Sequence, residues 1–116
     1  MVIIHEYAHG ISNRLSTLGG AEQMGEGWSD YYGLMLTMEF GDTGPDSRGV
    51  GTWLIGEGPN GPGIRTHPYS TNFAINPHTY DDIKSEVAPH GVGSVWTAML
   101  WEMTWELIAV HGFDTD

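Results

Sequence analysis

Cysteine is absent from these 116 residues, so no disulfide can brace the fold and no thiolate can bind a metal. Any ion must be held by His, Asp or Glu. Basic residues are scarce, with four Lys and Arg against fifteen Asp and Glu. The formal charge of -11 repels phosphate backbones and anionic lipid, which argues against nucleic acid or a membrane as partner. The same field draws in cations, although a charged surface that only maintains solubility is the commoner use. An unbroken apolar run is also missing. The longest stretch, Val92 to Val110, is interrupted by Glu102 and Glu106, and reads as a buried helix instead of a bilayer span. Met1-Val2-Ile3-Ile4 leads straight into a motif with neither a basic leader nor a cleavage site, so no signal peptide is expected within the chain.

Bulky side chains are plentiful: five Trp, five Tyr, three Phe and six Met. A chain of this length can close one small domain around them, and residues 1–116 read as a single domain. Ile4, Ala8, Ile11 and Leu15 recur at helical spacing from Val2 to about Ser16, and Gly19-Gly20 breaks the pattern. A second helix is expected from about Glu22 to Phe40, with Met24, Trp28, Tyr31, Met35 and Met38 on one stripe. Gly25, Gly27 and Gly33 weaken it, in exchange for close packing. The glycine- and proline-rich stretch from Gly41 to Gly63 reads as a long loop. Thr66 to Pro89 is turn-rich, with one helical turn around Tyr80 to Ser85. The third helix is expected over Val92 to Val110, burying Trp96, Met99, Leu100, Met103, Leu107 and Val110.

Chemistry enters with His5-Glu6-Tyr7-Ala8-His9. Two imidazoles four residues apart on a helix lie about 6 Å apart along the axis and can reach one ion. Glu6 lies about 100° around the helix from His5, placed to face a water and not the ion. Taken alone, two histidines on an amphipathic helix could also be ordinary polar-face residues. Gly25-Glu26-Gly27-Trp28-Ser29-Asp30 follows, with Glu26 and Asp30 one turn apart. Glu26 would complete a His, His, Glu set whose fourth position is open to water, the pattern of catalytic zinc. Asp30 could accept the free ring N–H of a ligand histidine and fix its tautomer. A metzincin site is excluded, because Ser12 and Leu15 stand where that class needs Gly and His.

In its segments HEYAHGISNRL and MGEGWSD, the sequence resembles the fungalysin family of secreted, thermolysin-like zinc endopeptidases. Further resemblance runs through His90 to Trp96, Leu100 to Ile108 and Gly63 to Tyr80. The resemblance implies a mainly α fold, the helical half of a zincin-like domain with three main helices joined by long irregular loops. It implies one catalytic zinc on His5, His9 and Glu26, Glu6 as general base, Asp30 as partner of His5, His90 as oxyanion stabiliser and Arg65 as the holder of a substrate carbonyl. It also implies an extracellular enzyme acting on peptides or proteins, of which residues 1–116 form part of the catalytic domain. Relatives carry a sheet-containing upstream half and a propeptide, and no tyrosine stands between Leu15 and Met24 to serve as a second oxyanion donor.

Other readings stand beside these. The chain could be a non-catalytic helical module or inactive fragment whose zinc contributes only folding energy, or a zinc aminopeptidase sharing the ligand set. No acidic motif for amino-terminus recognition is evident, which favours the endopeptidase. Calcium at the Asp42 and Asp46 loop is a weaker candidate, since neither spacing nor acidic count matches a known cage. Glu86 could orient His90, although a solvated loop carboxylate is the commoner use. His111 fits the dipole of the third helix, and His67 and His78 read as loop residues.

Overall fold

Three α-helices, α1 (Val2–Leu15), α2 (Gln23–Met35) and α3 (His90–His111), dominate this computed structural model, which describes residues 1–16 and 23–113. The expected break at Gly19-Gly20 and the expected start at Glu22 lie outside the described residues. No strand forms among the described residues. Two isolated bridges, Arg48 to Tyr69 and Val50 to Gly63, are the only sheet-like pairings there. Helix α2 packs against α1 on one side and α3 on the other, and α3 also touches the short 3-10 helix Tyr80–Lys84.

The buried faces differ from those expected. On α1 the buried residues are His5, Ala8 and Ser12, while Leu15 is 79% exposed. On α2 they are Gly25, Gly27, Ser29, Asp30, Gly33 and Leu34, with Met24 and Met35 exposed. The expected apolar face of α3 is corrected most: only Leu100 of it is buried, and Met99, Met103, Leu107 and Val110 are 47–74% exposed. Instead Gly93, Ser94, Val95, Thr97, Trp101 and Thr104 face inward.

Close backbone approach explains the inversion. A Cβ on Gly27 would lie 2.5 Å from the carbonyl oxygen of Gly93, far inside contact distance. The crossing therefore selects the small face of each helix, whatever bulk stands on the others. Thr97 seals it by donating its hydroxyl proton to the carbonyl of Gly27 at 2.7 Å. The expectation that the α2 glycines allow close packing holds.

Helix α2 ends at Met35 instead of Phe40. Thr37 turns its hydroxyl back to the carbonyl of Gly33 at 2.7 Å, and Arg48 donates to the carbonyl of Thr37 at 2.9 Å. These bonds cap orphaned groups that another helical turn would have used. Arg48 also pairs with Asp42 at 2.6 Å and lies 6.0 Å from the Trp101 ring centroid, tying the loop after α2 onto the core. That core is Leu34, Val50, Tyr69 and Trp101, flanked by Met1, Met38, Ala98 and Trp105. The long glycine-rich loop carries one 3-10 helix, Thr52–Ile55, bounded by Gly51 and Gly56 at φ 70° and 74°, a left-handed region glycine enters without steric cost. The expected turn near Tyr80 forms over Tyr80–Lys84.

Candidate metal centre

Residue spacing on α1 and the α1–α2 contact gather three donors. His5 and His9 stand one turn apart on α1, and Glu26 reaches across from the first turn of α2. His5 Nε2 lies 3.2 Å from His9 Nε2 and 3.2 Å from Glu26 Oε2, and His9 Nε2 lies 3.6 Å from the same oxygen. Among the described residues, these three form the one group of His and carboxylate donors close enough together to hold an ion.

Asp30 explains how His5 is held. Its Oδ1 accepts from His5 Nδ1 at 2.7 Å, which places the proton of a neutral ring on Nδ1 and leaves the Nε2 lone pair facing Glu26 and His9. Arg65 grips the same carboxylate with two bonds, Nε to Oδ2 at 2.7 Å and Nη2 to Oδ1 at 2.9 Å. Tyr69 donates its hydroxyl to Oδ2 at 2.6 Å. Burial alone would raise the Asp30 pKa, but the bonds from His5 and Arg65 and the guanidinium charge outweigh it and hold the carboxyl at about 2. At His5 burial opposes the charged ring, yet the hydrogen bond and charge of Asp30 raise its pKa overall.

Whether these residues fit a cation can be judged from the chain itself. Glu26 Oε2 is buried and has no hydrogen-bond partner, although three imidazole nitrogens surround it. An unpaired buried carboxylate oxygen is costly, and a cation held between it and the two ring nitrogens of His5 and His9 would satisfy all three. A tetrahedral ion with bonds of about 2.05 Å needs donor separations of roughly 3.4 Å. The three observed separations bracket that value, so the donor set fits zinc.

The remaining expected residues fall around this trio. Glu6 is exposed on α1. His90 opens α3, with its side chain 54% exposed and Nε2 3.2 Å from Glu26 Oε2. Arg65 is engaged by Asp30, and its side chain is only 7% exposed. Glu86 does not orient His90: it accepts from His78 at 3.0 Å and from Thr66 at 3.0 Å. His78 is therefore buried and paired, with the His67 ring edge-on at 4.9 Å. Asp42 is occupied by Arg48 and the Glu39 amide, and Asp46 by the Thr43 amide, so both close local turns. Tyr69 went unnoticed in the sequence. The available signal was indirect, since a buried Asp30 requires donors beyond one histidine.

A family model described as fungalysin metallopeptidase (M36) matches residues 1–116. Extracellular metalloproteinase 2 of Arthroderma otae is 42% identical over 122 residues, covering 96% of the chain. Extracellular metalloproteinase 2 of Trichophyton rubrum is 42% identical over 123 residues, and extracellular metalloproteinase 4 of Arthroderma gypseum is 42% identical over 120, each again covering 96% of the chain. The chain spans 18% of the length of each of these curated relatives.

Proposed function

Since the chain belongs to the fungalysin metallopeptidase family, we propose that it carries the catalytic zinc centre of an extracellular endopeptidase, with His5, His9 and Glu26 as ligands. The observation that carries this reading is the convergence of His5 Nε2 and His9 Nε2 on a buried Glu26 oxygen that has no hydrogen-bond partner. The relatives' names, extracellular metalloproteinases, support a secreted enzyme acting on peptides or proteins. Residues 1–116 form one domain-sized part of its catalytic unit.

Bound zinc would supply Lewis acidity toward a peptide carbonyl and bring the pKa of water towards about 7. Everything else falls to the chain. Glu6, exposed beside the two ligand histidines, accepts the proton of the attacking water on its carboxylate and returns it to the leaving amine. His90 donates from Nε2 to the oxygen on which negative charge develops. Asp30 keeps the His5 ring in the Nδ1–H tautomer. Arg65, with Nε and Nη2 on Asp30, has Nη1 left for a substrate carbonyl, so one side chain braces the centre and orients the peptide.

Cleavage of a quenched-fluorescent peptide by the zinc-loaded chain and by Glu6→Ala, prepared identically, tests the reading. Glu6→Ala should keep one zinc per chain and lose at least ~100-fold in rate, the usual contribution of a general base. An unchanged rate, or zinc lost together with the carboxylate, would refute the role given to Glu6.

A further inference from the structure

We infer that Tyr69 is a positioning residue for the metal centre: its hydroxyl fixes the Asp30 carboxylate that holds His5, so zinc affinity depends on a core side chain that never touches the ion. The inference rests on the zinc reading above and adds a residue to it.

A carboxylate offers about four lone-pair directions, and Asp30 fills four: His5 Nδ1 and Arg65 Nη2 on Oδ1, Arg65 Nε and Tyr69 on Oδ2. Arg65 fills one lone pair on each oxygen through its planar fork, and His5 takes the second on Oδ1, so Oδ2 keeps one lone pair that needs a further donor. Tyr69 supplies it from a fixed position. Its ring is fully buried against Leu34, Val50 and Trp101, and its backbone exchanges two hydrogen bonds with Arg48, at 2.8 and 2.9 Å. The phenol bond is also the shortest of the four, at 2.6 Å.

A chain of contacts thus runs from α3 through the Trp101 side of the core to Tyr69, to Asp30 on α2 and to His5 on α1. Burial, with the neighbouring Asp30 charge, holds the phenol pKa well above its ordinary value. It therefore stays a donor wherever the chain is folded. Deleting the hydroxyl leaves one buried lone pair of Oδ2 without a donor, so Asp30 shifts to relieve it and loosens the Nε2 lone pair of His5 from the point it shares with His9 and Glu26.

Tyr69→Phe keeps the ring and the core, and Leu100→Ala, buried on α3 outside the cluster that packs Tyr69, is the control for lost packing. Zinc dissociation constants would be measured by competition with a chromophoric chelator, well below the melting temperature of each metal-free chain. Nitrogen-15 spectra of the His5 ring would report its tautomer. Tyr69→Phe should weaken zinc about 10-fold, at the low end for outer partners of metal ligands, and mix the His5 tautomers. Leu100→Ala should melt earlier yet bind zinc as the wild type does. Wild-type affinity and a single Nδ1–H tautomer in Tyr69→Phe would overturn the inference, as would an equal loss in Leu100→Ala. Failure of the wild-type chain itself to bind zinc would remove the underlying reading as well.

Discussion

A carboxylate taken out of water has to find donors for nearly all its lone pairs, and Asp30, 1% exposed, finds them in His5, Arg65 and Tyr69. The acid stability of the metal-free chain should reveal this. With a folded pKa of about 2 against an ordinary 3.8, ionised Asp30 contributes stability that is full above about pH 4 and is lost as pH falls towards 2. That amounts to about 2 kcal/mol. Glu86, also lowered against burial by its bonds to His78 and Thr66, loses its share over the same acid range. The difference between chains therefore isolates Asp30: urea unfolding from pH 5 to pH 2 should be flatter for Asp30→Asn by about that amount. Equal slopes would mean that Asp30 is not held ionised. What was legible at this scale was local, because His5, Glu6 and His9 lie within one turn of a helix and Glu26 and Asp30 within another. Tyr69 and Arg65 reach Asp30 only through the tertiary fold, and no spacing rule points from residue 30 to residue 69.

Helix positions were readable in outline, since periodic segments and glycine-rich breaks set them, whereas the buried faces were misjudged. On α3 apolar residues occur all round, so bulk could not single out a face. The decision belonged to the partner helix, whose Gly27 admits only the small side of α3. Two glycine substitutions test that account. Gly27→Ala places a Cβ 2.5 Å from the Gly93 carbonyl oxygen and should destabilise by about 1–3 kcal/mol through overpacking. Gly10→Ala on the exposed side of α1 meets nothing within 4 Å and should stabilise by roughly 0.5–1 kcal/mol through helix propensity. Thermal melts of both variants decide it. A neutral Gly27→Ala would contradict the close crossing.

At the scale of the whole molecule, α3 presents Met99, Met103, Leu107 and Val110 to solvent, a row of large apolar side chains on one surface. Such a patch promotes association, and the net charge of -11 opposes it only at low salt. Sedimentation velocity should show concentration-dependent association of the isolated chain that strengthens with salt. Leu107→Lys should suppress it without lowering the melting temperature. A monomer at every concentration and salt would exclude that surface as adhesive.

The central claim is a three-ligand zinc site with one position open to solvent, and zinc K-edge absorption spectroscopy of the loaded chain tests it most directly. The account predicts two imidazoles, one carboxylate oxygen and one further solvent oxygen, all at about 2.0–2.1 Å. A third imidazole in place of the solvent oxygen, recruiting His90 and closing the site, would contradict a catalytic centre and leave a structural one.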